Sequence, residues 1–142
     1  MTITAERYHD ISCGHRVVGH EGKCKTLHGH NYRIHFVVGA PELAQLGRVL
    51  DFTDIKTKLC MWVEDNWDHR MLLWARDPML ASIEKVDPSV VVTHFNPTAE
   101  NMAHYLLKTI GPKQLMGTGI TLIEVRVEET RKCTATAKLA AL

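Results

Sequence analysis

The spacing of apolar and polar positions changes along the chain, and each change marks an element. From Thr2 to Ser12 β-branched residues stand among polar ones, which predicts a strand. Gly14 to Gly22, GHRVVGHEG, carries three glycines and reads as a loop. His28 to Val38, HGHNYRIHFVV, has the aromatic and β-branched content of a second strand, ended by Gly39, Ala40 and Pro41. The period then becomes helical. In DFTDIKTKLCMWVEDNW, Ile55, Leu59, Trp62, Val63 and Asn66 recur at three- and four-residue steps, with Thr53 or Asp54 placed to cap. Asp77 to Pro88 holds two Asp-Pro pairs and reads as an irregular excursion with room for one short helix. Ser89 to Phe95 is a short strand candidate. Pro97-Thr98 opens a second helix with Ala99, Met102, Ala103, Leu106, Leu107 and Ile110 on one side, and Gly111-Pro112 predicts its stop. Thr118 to Val127 alternates as a strand should, and a last short strand is expected over Thr134 to Leu139.

The order is β-β-α-(β)-α-β-β. Only a loop separates the first two strands, so they form an antiparallel hairpin. The helices sit in the middle and do not alternate with strands. That favours an α+β sheet with helices on one face over a doubly wound fold.

Composition narrows the partners. A chain of 142 residues reads as one domain, residues 1–142. A formal charge of +1 gives no basic excess for nucleic acid, and no apolar run is long enough to span a membrane. The start MTITAERYHD is charged where a signal peptide needs an apolar core, so a cytoplasmic location is expected. The four cysteines form no C-x-x-C pair and read as reduced thiols, with Cys13, Cys60 and Cys133 taken as small buried hydrophobes. Nine histidines against three each of Phe, Tyr and Trp is the unusual count, so their placement matters.

His28-Gly29-His30 is the sharpest signal. Residues i and i+2 of a strand share a face, so two imidazoles project side by side. A third histidine from the preceding loop, His15 or His20, would give three nitrogens and one open position, the arrangement of catalytic zinc. Cys24, four residues before His28 and flanked by Lys23 and Lys25, could close the site as a ligand or stand beside it as a thiolate. Asp68-His69 places a carboxylate beside an imidazole, which can fix its tautomer; a helix-end charge pair is the simpler reading. Glu128-Glu129-Thr130 ends the best-defined strand, and a carboxylate there can pair with the two N–H groups of a guanine- or pterin-like edge. Glu100, one turn into the second helix, suits the positive helix end.

These residues, taken together, resemble a known family. Cys24-x-x-x-His28-Gly29-His30-Asn31-Tyr32, Val49-Leu50-Asp51-Phe52, Asp68-His69, Asn96-Pro97-Thr98-x-Glu100-Asn101 and Glu129-Thr130 follow the order of the 6-pyruvoyl-tetrahydropterin synthase family from about His15 to Thr130. The three-residue gap between Cys24 and His28 is similar to the bacterial 6-carboxy-tetrahydropterin synthase branch of queuosine biosynthesis; the biopterin branch more often has five. The resemblance implies the tunnelling fold: a four-stranded antiparallel sheet with two helices between the second and third strands, associating into a barrel, typically a hexamer with active sites between subunits. It implies zinc on His15, His28 and His30, a catalytic thiol at Cys24, an assisting dyad at Asp68 and His69, and a pterin anchor at Glu129. Glu100 would have a substrate-binding or structural role. The implied substrate is 7,8-dihydroneopterin triphosphate, with Lys23, Lys25, Arg16 and Arg70 as candidates for its triphosphate. A synthase that stops at the 6-pyruvoyl product, and a zinc or pterin module without turnover, are the competing readings. The sequence departs from the pattern after His69, in Arg70-Met71-Leu72-Leu73-Trp74, and in a long Ala75–Asn96 segment.

Overall fold

The hairpin expected from the first two strands is longer than its sequence suggests. The computed structural model describes residues 2–140. Strand β1 spans Thr4–His15 and β2 spans His28–Gly39. They pair antiparallel from Thr4↔Gly39 to His15↔His28. Gly14 and His15, expected in the loop, are therefore strand. Glycine makes this possible: a Cβ on Gly14 would lie 2.6 Å from the Met71 side chain. β5 (Thr121–Thr130) pairs antiparallel with β2, and β6 (Cys133–Lys138) pairs antiparallel with β5. β5 begins and ends three residues later than expected, which draws Glu128, Glu129 and Thr130 into the sheet.

Two short strands extend the four-stranded meander. β3 (Met71–Trp74) runs parallel to β1 beside Gly14 and His15, and β4 (Val91–Thr93) runs parallel to β3. The sheet order is β4-β3-β1-β2-β5-β6. β4 lies inside the expected Ser89–Phe95 strand. β3 has no alternation to reveal it, because a four-residue apolar run carries no period.

Helix α1 covers residues 52–66 as Phe52–Ile55, a π-helical turn Lys56–Cys60, and Met61–Asn66. Asp51, and not Thr53 or Asp54, caps it by accepting from the Thr53 N–H at 2.8 Å. α2 (Leu80–Val86) is the short helix within the irregular excursion. α3 covers residues 99–114 as Ala99–Tyr105, a π-helical turn Leu106–Ile110, and Gly111–Gln114, with Thr98 as its cap. The predicted stop at Gly111-Pro112 is overturned. The wide turn has Gly111 donate back to Leu106, which loosens the hydrogen-bond ladder where Pro112 has no N–H to offer. Gly111 also lies against β5, where a Cβ would come within 2.5 Å of Leu122.

Strand parity sorts the side chains. Ile11, Cys13 and His15 of β1, Tyr32, Ile34, Phe36 and Val38 of β2, and Val125 and Val127 of β5 are buried with Ile55, Leu59, Val63, Trp67, Met102 and Leu106 in one apolar core. All six apolar positions expected on one side of α3 are buried. Burial pushes the Cys13 thiol up to about 12 and the Cys60 thiol up to about 11, as inert core thiols require. Cys133 departs from the expectation: it is exposed at the start of β6. No helix among the described residues is long and apolar enough to cross a membrane.

Candidate metal centre and active site

The end of the β1–β2 hairpin carries three histidines on the core-facing parity. His15 and His28 are register partners, and His30 lies two residues further along the same face. Their ring nitrogens all fall within 4.8 Å of one another. His20 does not join them; its Nδ1 accepts from the Gly22 N–H at 2.8 Å, within its own loop.

The hydrogen bonds around this trio fix the tautomers. His15 Nδ1 is 2.6 Å from the Pro97 carbonyl, and His28 Nδ1 is 2.7 Å from the Thr26 carbonyl. A carbonyl can only accept, so each Nδ1 carries the proton and each Nε2 presents a lone pair. Yet the two Nε2 atoms face each other at 3.0 Å. His30 Nε2 is buried with no hydrogen-bond partner. Burial lowers the pKa of His15, only partly offset by the Pro97 carbonyl, and burial lowers that of His30 against the opposing pull of Glu129. Neutral imidazoles with converging lone pairs are what a cation needs, and carbonyls on the remote nitrogens are the usual second support. The three histidines therefore fit a metal ion.

Glu129 projects to the same place. Its carboxylate lies 3.6 Å from His30 Nε2 and 4.0 Å from His15 Nε2. Tyr32 is fully buried behind the trio, its hydroxyl 3.3 Å from His15 Nδ1. Burial raises the phenol pKa, with the nearby Glu129 carboxylate adding to it, so Tyr32 stays neutral. Cys24 is half-buried in a 3₁₀ turn, Lys23–Lys25, and its carbonyl accepts from the Val17 N–H at 2.8 Å.

Asp68 and His69 form the expected pair, with Nδ1 2.7 Å from Oδ2. It is more than a charge pair at a helix end. Asp68 Oδ1 accepts from the Ser12 N–H at 2.8 Å, and the His69 N–H donates to the Ser12 carbonyl at 2.6 Å. His69 has φ of 58°, a left-handed conformation that a non-glycine residue holds only under tertiary constraint. Burial would raise the Asp68 pKa, but the Ser12 N–H and His69 hold it below the ordinary carboxylate value. The dyad lines a cavity of about 550 Å³ with Asp10, Ser12, Asn31 and Arg33, which alternate away from the core side of β1 and β2. Among the described residues no hydrogen bond or ion pair joins the dyad to the histidine trio, although His30 and His69 both line a second cavity. The His69 side chain is 81% exposed there.

Glu100 is exposed in the first turn of α3, and among the described residues no hydrogen bond or ion pair joins it to the trio. Arg16, a triphosphate candidate from sequence, is committed elsewhere: its guanidinium forks onto buried Asp77 at 2.6 and 2.9 Å. One support escaped sequence reasoning. Asn96 bridges the backbone of Val18, accepting at 3.0 Å and donating at 2.9 Å, which sets Pro97 against His15. Thr98 then caps α3 through the Asn101 N–H at 3.1 Å. The Asn-Pro-Thr run was visible as a motif, but its partner lies about eighty residues away in sequence.

Comparison with known proteins identifies the family and the fold. The family model described as 6-pyruvoyl tetrahydropterin synthase matches residues 3–139. A Rickettsia felis protein named 6-carboxy-5,6,7,8-tetrahydropterin synthase is 34% identical over 133 residues, covering 92% of this chain and 96% of its own. A Halobacterium salinarum protein named probable 6-carboxy-5,6,7,8-tetrahydropterin synthase is 34% identical over 137 residues, covering 95% and 86%. In structure, an uncharacterized protein from Wolinella succinogenes matches with TM-score 0.86 at 22% identity over 97% of this chain and 98% of its own. The 6-pyruvoyl tetrahydropterin synthase of Caenorhabditis elegans matches with TM-score 0.71 at 26% identity over 99% and 97%. Matched along nearly its whole length in sequence and in the tunnelling fold, the chain belongs to the 6-pyruvoyl tetrahydropterin synthase family of enzymes.

Proposed function

We propose that the chain is a 6-carboxy-5,6,7,8-tetrahydropterin synthase acting in queuosine biosynthesis. It converts 7,8-dihydroneopterin triphosphate and one water to 6-carboxy-tetrahydropterin, acetaldehyde and triphosphate. The observation that carries the reading is the set of three histidines with ring nitrogens within 4.8 Å of one another beside Glu129. The relatives of about 34% identity that bear the 6-carboxy name support the choice of product.

His15, His28 and His30 would hold zinc. When bound, zinc supplies Lewis-acid chemistry that acidifies the side-chain hydroxyls of the substrate. Glu129 accepts from the pterin N–H edge and sets the ring's orientation. Cys24 takes the proton next to the ring, and the Asp68–His69 pair moves protons to and from the side chain. Triphosphate leaves, and carbon–carbon cleavage releases acetaldehyde. Glu100 contributes charge at the rim of the substrate site.

The dyad and the trio occupy opposite faces of one sheet. We assign them to two neighbouring subunits of a homo-oligomer, a hexamer by family resemblance, so that one subunit's Cys24 meets another's His69. The whole chain acts as one catalytic domain in the cytoplasm.

Incubation with dihydroneopterin triphosphate, with mass analysis of products and zinc content on the same sample, tests the reading. Acetaldehyde and the 6-carboxy product are expected. A 6-pyruvoyl product without acetaldehyde would move the chain to the activity named for the Caenorhabditis elegans match. No turnover in the parent, with zinc or pterin binding intact in Cys24→Ala, would leave only a binding module.

A further inference from the structure

The segment where this sequence departs from its family pattern supplies a buried charge. Asp77 follows β3, and its side chain is wholly inaccessible. Buried carboxylates require partners, and Asp77 has three donors: Arg16 Nε at 2.6 Å, a terminal Arg16 nitrogen at 2.9 Å, and the Met79 N–H at 2.8 Å. The other terminal nitrogen of Arg16 donates to the Lys25 carbonyl at 2.9 Å.

The sequence positions of these partners give the contact its meaning. Arg16 directly follows His15, and Lys25 directly follows Cys24. One planar group thus ties the strand end that carries His15, the turn that carries Cys24, and the β3–α2 connection. The loop between β1 and β2 has further ties: the Val17 N–H to the Cys24 carbonyl, Asn96 to Val18, and His28 Nδ1 to the Thr26 carbonyl. None of these reaches Lys25 itself. Without Arg16, Lys25 would keep only its own N–H bond to the Gly22 carbonyl at 3.4 Å, a long contact within the same turn.

We propose that Arg16 and Asp77 form a positioning clamp that holds the Cys24 thiol at a fixed place relative to the histidine trio. Neither residue touches the substrate. Asp77 locks the guanidinium, and the guanidinium locks the turn. Bidentate geometry is essential, because only a planar fork can satisfy Asp77 and still direct a donor at Lys25. The clamp rests on the reading of Cys24 as the catalytic thiol only for its kinetic consequence; its effect on the turn stands apart from that reading.

The test uses the full-length, zinc-loaded protein with exposed Cys133 replaced, Cys133→Ser, so that alkylation by iodoacetamide reports Cys24. Two variants are compared with that parent, Asp77→Asn and Arg16→Lys. Arg16→Lys keeps the charge beside Asp77 and decides the matter should Asp77→Asn fail to fold. A freed turn should raise the Cys24 alkylation rate about tenfold. The same variants should lower kcat about tenfold with KM within about twofold, because a displaced base loses alignment and not substrate affinity. Zinc per chain should equal the parent's. Alkylation within about twofold of the parent overturns the clamp, and so does faster alkylation with unchanged kcat. Faster alkylation with zinc loss also overturns it, since the disturbance would then run through His15. Should the parent show no pterin turnover at all, the alkylation rate still decides the clamp, and only the catalytic reading of Cys24 falls.

Discussion

The two faces of the β1–β2 hairpin use the same residue type in opposite ways. On the core side, His15 and His28 each give an Nδ1 proton to a backbone carbonyl and turn Nε2 inward. On the far side, His35 lies between the carboxylates of Glu6 and Glu128, and His69 rests on Asp68. The difference is the partner. A neutral carbonyl leaves the second ring nitrogen as a bare lone pair, suited to a metal. A carboxylate favours a proton on the ring, suited to acid–base work or to charge balance. Strand parity delivers a histidine to a face, and the acceptor waiting there decides its chemistry.

The largest effect should follow from breaking the core-side set. His30→Ala is expected to drop zinc below about a tenth of the parent's content and to abolish turnover, since even outer-shell losses at such sites cost 10–100-fold. Metal analysis on folded protein checks this. Retained zinc in His30→Ala together with zinc loss in His20→Ala would break the assignment.

The far side yields a sharper experiment. Cys24→Ala and His69→Ala should each lower kcat by about 10²–10⁴-fold. Unfolded together in equal amounts and refolded, the mixture should recover about a quarter of parent activity, because random assembly in a closed ring gives that share of sites both intact residues. If each site drew both residues from one chain, no recovery would occur, and the division of the two faces between subunits would be wrong.

These contrasts were unequally legible in the sequence. The shared face of His28 and His30 follows from the strand period alone. His15 did not, because glycines at 14, 19 and 22 suggested a loop beginning two residues too early, and the His15↔His28 register depends on the full hairpin length. The choice over His20 therefore came from family resemblance. Tertiary partners were illegible for a different reason: Asn96 with Val18, and Asp77 with Arg16, are separated by 78 and 61 residues and carry no local pattern. Asp77-Pro78 opens the expected irregular excursion, and Asp77 takes the Met79 N–H there; nothing nearby announced the arginine. The four-stranded meander shows in the alternation of its strands, whereas β3 is apolar on both sides and silent.

The buried Arg16–Asp77 pair predicts a pH signature. Burial alone would raise the Asp77 pKa, but Arg16 and the Met79 N–H hold it below the ordinary carboxylate value. The folded protein therefore binds this proton less readily than the unfolded chain. Its stabilisation is fully present above the ordinary carboxylate pKa of about 3.9 and is lost as pH falls through the lower folded value. In zinc-free protein, Asp77→Asn should cost about 3 kcal/mol at neutral pH, since it strands a largely buried guanidinium. The gap to the parent should narrow by pH 3 in urea titrations. A gap constant with pH would assign the loss to packing.

The smallest effect tests the comparison at its limit. His9 shares the core-side parity of Ile11, Cys13 and His15, yet its Nε2 meets a carboxylate, Glu64, at 2.8 Å. The pair is also open to water, with side chains 22% and 39% exposed. If parity alone made a ligand, His9 would extend the metal site. If the acceptor decides, His9→Gln should leave zinc content unchanged and shift stability by no more than about 0.5 kcal/mol, less in high salt, as partly exposed ion pairs do. Zinc loss, or a destabilisation of about 2 kcal/mol or more, would mean that parity outranks the partner, and the division drawn between the two faces would have to be redrawn along strand position.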